Sequence, residues 1–369
     1  MRGFATLGYA ESAGGGAQYI RDLSQPGGVG AGGGASLDSN VGLQLNYRST
    51  DTLEWIAQVV SHQRYDASYT PELTWAFAKF EVNPRTSLRL GRIGTEFLLQ
   101  SDSRMIGYSH LAVRPPVEFY GGVPINYGDG ADLQYRMPIA EGILKASVYA
   151  GTAREDLPAN DLNGSPLSAV SLGYALGTLQ LRLIHAEATL ANASAGLQPL
   201  QAQLAAYGAA GASNSLTVQG NHTRYDSAGI DYDDGSWQLA LALNQISNST
   251  VVIEDSRAGF LSLARRFGAF SPFVSYAWAL SQAKSLDTGL AGAAAAALNP
   301  AVAQALRASH QDQQTTSIGV RWDFARNLDC KAQLDFVHGD PSSVLLYQNV
   351  QSSWTGKTTV LSLALDYVF

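Results

Sequence analysis

Apolar and polar residues alternate with period two through most of this chain, and turn residues break the alternation at short intervals. In the last segment Leu361, Leu363, Leu365, Tyr367 and Phe369 share one face, opposite Val360, Ser362, Ala364 and Asp366. Counted from end to end, the pattern predicts sixteen strands, at 2–11, 39–48, 52–62, 72–82, 86–93, 129–137, 142–153, 168–176, 178–189, 223–233, 236–246, 251–266, 271–282, 315–324, 328–338 and 357–369. Each has one apolar and one mostly small or polar face. Val41, Leu43, Leu45 and Tyr47 oppose Gly42, Gln44, Asn46 and Arg48, and Ile318, Val320 and Trp322 oppose Ser317, Gly319, Arg321 and Asp323. Aromatic residues gather at strand ends, where interfacial belts require them.

The links between these strands alternate in length. Ser49-Thr50-Asp51, Asn83-Pro84-Arg85, Pro138 to Glu141, Gly177, Asp234-Gly235, Gly268 to Phe270 and Ala325 to Asn327 are short. Between them run the connections 12–38, 63–71, 94–128, 154–167, 190–222, 247–250, 283–314 and 339–356, most of them long. An antiparallel meander with short turns at one end and long loops at the other is the layout of a transmembrane barrel, whereas a soluble sandwich has no reason to sort its loops by length. Hydrocarbon cannot satisfy an open strand edge, so such a sheet must close on itself. The expected fold class is therefore all-β, one antiparallel sixteen-stranded barrel over 1–369, with both termini on the short-turn side. Two loop tracts rich in Ala, about 191–212 and 289–308, read either as short helices at the barrel mouth or as flexible loops.

Composition narrows the alternatives. Charged residues make up 15% of the 369, Gly numbers 37 and Tyr 17, while no run of 18 apolar residues occurs, which excludes a helical membrane protein. A net charge of −7 argues against nucleic-acid binding. The single Cys330 can form no disulfide within the chain. The Gly27–Gly34 run lacks the Lys-Ser/Thr pair of a phosphate cradle. Met1-Arg2-Gly3-Phe4 enters a strand directly, which predicts the mature form of an exported protein without its signal peptide.

The connection 94–128 mixes apolar anchors such as Phe97, Leu98 and Met105 with charges, which is unusual for a loop that only meets solvent. Its lead-in Gly91-Arg92, its exit Pro116 to Gly122 and the terminal Phe369 together resemble the sixteen-stranded porins of the Gram-negative outer membrane. That resemblance implies that this loop folds into the lumen and narrows it. It also implies a homotrimer, with the outer faces of the first strands and the last as the interface. Lipid and lipopolysaccharide would surround the barrel, small hydrophilic solutes would pass through it, and no cofactor or turnover would be involved.

The loop candidates for the constriction are then Glu96, Asp102, Arg104, His110, Arg114 and Glu118. Alternation puts Arg48, Arg89, Arg136, Arg182, Arg266, Arg321, Asp132, Asp323, Asp335 and Asp366 on the lumen wall. Arg92 joins them only if a bulge separates it from Arg89. Opposed fixed charges select solutes by sign and dipole. Each arginine has a second reading, as an ion pair that holds the loop or strands together. The functional reading is a passive diffusion channel. Its alternative is a channel specific for anions or carboxylates, with an arginine-lined pore. A barrel lipase has weak support, because His185 and His338 face outward and belong to no nucleophile signature, and a plugged structural or adhesion barrel is the remaining case. His62, His110, His222 and His310 form no pair with metal-ligand spacing, and acidic neighbours such as Asp156 and Asp161 read as turns with at most a weak Ca²⁺ site.

Overall fold

The computed structural model describes residues 1–94, 103–158 and 161–369. Glu96 and Asp102, together with Phe97 and Leu98, lie outside the described residues. The strands are β1 (Arg2–Ser12), β2 (Gln18–Tyr19), β3 (Asn40–Arg48), β4 (Leu53–His62), β5 (Glu72–Asn83), β6 (Thr86–Gly94), β7 (Tyr127–Ile139), β8 (Gly142–Ala153), β9 (Pro166–Leu176), β10 (Leu179–Thr189), β11 (His222–Asp233), β12 (Trp237–Asn248), β13 (Asp255–Arg265), β14 (Phe270–Gln282), β15 (Asp312–Ala325), β16 (Leu328–Gly339), β17 (Tyr347–Gln348) and β18 (Lys357–Val368). Sixteen of them close into one antiparallel barrel in the order predicted, with β1 bonded to β3 on one side and β18 on the other. Strand limits match the expected ones closely. The main difference is β13, which starts at Asp255 rather than 251, because 251–254 belong to the connection.

Closure sorts the residues by parity. On β18, Leu361, Leu363, Leu365 and Tyr367 point out, while Ser362 and Asp366 are fully buried on the lumen side. The rings of Tyr367 and Phe369 stack at 5.3 Å at the short-turn end. Tight turns there need left-handed backbone, and Gly177 (φ 56°), Gly235 (φ 86°) and Asn327 (φ 63°) supply it.

At the other end the long loops carry structure of their own. Helices α2 (Gln198–Ala206) and α4 (Gly292–Arg307) lie inside the Ala-rich tracts, and α3 (Ala210–Ser215) overlaps the end of the first. On α4, Leu298, Val302 and Leu306 recur every fourth residue and form one buried stripe. They pack with Leu204, Leu216, Val218 and Val252 into a small apolar core over the rim. The two-residue strands β2 and β17, which the alternation did not reveal, pair with each other and join the first and last long connections. Tyr19, Leu37, Leu346, Tyr347 and Trp354 are buried around that pair.

Wall packing inside the barrel is tight at particular glycines. A Cβ on Gly42 would lie 2.2 Å from the Phe4 ring. Gly42→Val should therefore destabilise the barrel by about 1–3 kcal/mol, read as a lower urea midpoint for unfolding from lipid vesicles.

Candidate functional site

The connection between β6 and β7 folds into the lumen, and its described part, 103–126, includes a 3₁₀ turn at Gly107–Ser109 and helix α1 (Val117–Tyr120). Apolar contacts seat it first. The rings of Phe119 and Phe260 of β13 lie edge-to-face at 5.2 Å, and Val117, Phe119 and Tyr120 are all buried.

Its charges are then held by the wall on the β13–β18–β1 side. Arg114 is 2% exposed. Its Nε and Nη2 donate to Asp38 at 2.9 and 2.6 Å, its Nη1 to Asp335 at 3.2 Å, and its Nη2 also to Ser362 at 2.7 Å. Burial works against the charge, but the Asp38 carboxylate outweighs it and holds the guanidinium above its ordinary range. Glu118 accepts from Gln313 Nε2 at 2.5 Å and from the Thr315 hydroxyl, and burial raises its pKa. Arg104 donates to the carbonyls of Val123 and Tyr120 at 3.0 and 3.1 Å and sits 3.5 Å from Asp22. Burial lowers its pKa, and Asp22 opposes that shift.

The wall reaches back to the loop in turn. Arg321 donates to the carbonyls of Tyr108 and His110 at 2.6 and 3.0 Å. Lys331 donates to the Gly107 carbonyl at 2.6 Å and pairs with Asp366 at 2.9 Å. A Cβ on Gly107 would lie 2.0 Å from the Asp366 carboxylate, so only glycine fits this seat. His110 Nε2 donates to the carbonyls of Ser103 and Arg104 at 3.0 and 3.3 Å. Burial, with Lys331 nearby, pushes its pKa down to about 4 and leaves the ring neutral at pH 7.

The described loop charges thus hold the loop in place, and the open lumen lies along the other wall. A cavity of about 790 Å³ runs between the loop and β8–β15. A second, of about 320 Å³, adjoins it, and Lys145, Gly173 and Arg182 line both. Arg136 of β7 is the direct cross-strand partner of Lys145 on β8, followed by Gly173 on β9 and Arg182 on β10. These three cations form a row with no acidic partner in ion-pair range among the described residues. Among the described residues lining the smaller cavity, Glu54 is the one carboxylate, against Arg136, Lys145 and Arg182 and against Lys79 and Arg89, which pair with Glu81 and Asp132. Along the larger one Asp233 is held by Arg266 at 3.0 Å and Asp323 by Arg321 at 2.7 Å.

The remaining wall candidates divide. Arg89 pairs with Asp132 at 2.8 Å inside the barrel. Arg92 is on the opposite face, because the β6–β7 ladder is unbroken from Thr86 to Gly94, and it pairs there with Asp129 at 2.9 Å. Arg48 is exposed at the short-turn end of β3. Lys145, Lys331, Asp38 and Asp22 were not singled out from the sequence. The parity of β8 and β16 could have found the two lysines, whereas nothing local marks Asp38 or Asp22 as partners of a distant loop.

A nucleophile constellation is not assembled at the rim. His310 Nδ1 is 2.7 Å from Glu254 and 3.2 Å from Ser281, so one ring nitrogen serves both groups and no relay runs through the imidazole. Asp156 and Asp161 form a bridge closed by Asn163, as a turn would. No group of three metal-ligating side chains occurs among the described residues.

Known structures share this architecture. OmpF of Salmonella typhi, solved as a complex with daunomycin, superposes with a TM-score of 0.62 at 12% identity, covering 100% of this chain and 96% of that one. An anion-selective porin from Comamonas acidovorans gives 0.56 at 12%, covering 100% and 98%. OmpT of Vibrio cholerae gives 0.54 at 11%, covering 100% and 97%. At such identities the likeness establishes the fold, a closed sixteen-stranded barrel of the porin type. Neither a protein-family model nor a curated protein sequence matches the chain.

Two outcomes follow from the loop anchors. Arg114→Gln leaves Asp38 and Asp335 buried without their cation, at a cost of about 3–5 kcal/mol, and hydrogen exchange across 103–120 should rise sharply. For His110 the folded pKa lies below the unfolded value, so its contribution is complete above about pH 6.5 and is lost as pH falls toward 4. Protection of the loop amides, taken relative to their intrinsic exchange rates, should therefore fall over that window in the native protein, and His110→Gln should remove this component of the pH dependence.

Proposed function

We propose that this protein is a passive diffusion channel for small hydrophilic solutes in the outer membrane of a Gram-negative bacterium, with a preference for anions. The barrel works without a cofactor, as a homotrimer set among lipid and lipopolysaccharide. The observation that carries this reading is the pair of adjoining cavities beside the inward loop, with Lys145 and Arg182 lining both.

The loop sets the size of the passage and the wall sets its sign. A charge about 7 Å from the path in water contributes roughly 0.6 kcal/mol, which is about a threefold effect on local ion concentration. Three unpaired cations in one row therefore suffice for a clear anion preference, and Asp231 on the same cavity tempers it. The same row favours the second reading, a channel specific for a carboxylate or another anion, because adjacent guanidinium and ammonium groups can bind such a group as well as attract it.

Planar-bilayer recordings test both. Reversal potentials in a salt gradient should show anion preference at about 0.1 M salt, fading by 1 M as the Debye length falls from about 10 to 3 Å. Replacing Lys145 and Arg182 together by Gln should lower the anion-to-cation permeability ratio by about tenfold while conducting steps persist. Absence of steps from purified protein would sink the channel reading. Saturable block by one anion would select the specific channel.

A further inference from the structure

The outer wall carries a feature that conduction does not use. On β10 to β13, His185, Asp226, Gln245 and Arg257 are direct cross-strand neighbours in one row. Alternation with Leu183, Ala228, Leu243 and Leu261 places the row on the outward face, where the neighbouring positions are apolar. His185 Nδ1 takes up Asp226 at 2.7 Å, and Arg224 takes up Glu187 at 3.4 Å. His185 Nε2 faces Glu187 at 3.6 Å, a carboxylate rather than a hydroxyl nucleophile. Arg257 has no acidic partner among the described residues.

A lone guanidinium facing hydrocarbon is costly at mid-membrane and tolerable near the interface, where it can meet a headgroup. Arg257 stands two residues from the long-loop end of β13, which fits the second setting. Beside the row a groove of about 800 Å³ opens in the outer wall, with Arg257, Gln245, Asp226 and His185 on its polar side and Leu172, Leu183 and Leu243 on its apolar side; the Asp226 carboxylate is taken up by His185. Ala228 leaves room within the groove, and a Cβ on Gly259 would meet Leu243 at 2.6 Å and Trp278 at 3.1 Å, so the missing side chain lets those two close over that strand.

A planar cationic fork above an apolar groove, at the edge of a membrane, matches a phosphorylated amphiphile. We propose that this outer wall binds one phosphate-bearing lipid of the leaflet on the long-loop side. Arg257 holds the phosphate, Gln245 on the next strand flanks it, His185 neutralises Asp226 at the far end of the row, and an acyl chain lies along Leu183, Ala228 and Leu243. The proposal rests on the barrel spanning a membrane and not on its conducting.

Native mass spectrometry of the purified full chain in detergent tests it, with bis-phosphorylated lipid A and its dephosphorylated form as probes. One phosphorylated lipid per barrel should be retained, about tenfold more tightly than the dephosphorylated form. Arg257→Gln should abolish that preference, Arg257→Lys should weaken it, and Ala228→Phe should reduce binding of both lipids by filling the groove. Equal retention of the two lipids by the native protein would overturn the proposal, as would an undiminished preference in Arg257→Gln. Loss of subunit association in Arg257→Gln, without a change in lipid retention, would assign the face to a second copy of the chain. Because Arg257 points away from the lumen, its variants should conduct as the native protein does. Phosphate preference in a protein that proved non-conducting would sink the channel reading and leave the lipid site standing.

Discussion

A strand edge cannot be left open in hydrocarbon, because each unsatisfied amide or carbonyl there costs several kcal/mol. In this chain the constraint is met by β1, which bonds β18 on one side and β3 on the other. Once the sheet is closed, alternation is no longer a local preference but a division between two solvents. Every odd step faces lipid and every even step a polar interior, so a carboxylate such as Asp366 can sit fully buried provided a cation such as Lys331 comes with it. The polar interior, the inward loop and the free wall all depend on that closure.

Placing a charged loop inside the lumen creates a second problem, which electrostatics resolves by pairing. Arg114 and Glu118 are each nearly inaccessible, and a buried charge without partners would be very unfavourable. The wall under the loop supplies Asp335, Gln313 and Thr315 for them, the first long connection adds Asp38, and the wall gives Arg321 and Lys331 to the loop carbonyls. One side of the barrel is therefore used to hold the loop. The opposite side, from β7 to β10, meets the loop through apolar packing around Phe119 and Tyr120 near its long-loop end, and keeps its cations open to the aqueous passage. In the channel proposed above, this division would give the loop control of the width and the cationic wall control of the sign.

The same distinction explains what could be read from the sequence. Strand number, order and facing depend on period two and on turn residues, which are properties of short segments, and these were legible almost to the residue. The helices over the rim were legible as one of two readings, because an Ala-rich tract needs a partner surface to decide it, and Val252 and Leu216 provide that surface. The site was less legible. Parity alone could place Arg136 and Arg182 on the wall, but it could not say which inward charges are spent on a loop, since Arg114 meets Asp38 across 76 positions of sequence. Arg92 shows how finely this depends on register, because without a bulge in β6 it turns from the lumen to the outer face.

Reading both faces with the same rule places the two lone cationic features on opposite sides of one stretch of wall. Arg182 points inward from β10 and His185, three residues on, points outward, because an odd separation reverses the face. Neighbouring strands keep this register, so the cation row of β7 to β10 faces the lumen and the polar row of β10 to β13 faces outward, the two meeting on β10. The two rows cannot exchange roles without a shift of one residue in the ladder, and such a shift would bring the leucines of the outer wall into the lumen. The proposed solute selection and the proposed lipid contact thus both depend on the pairing register of a single sheet.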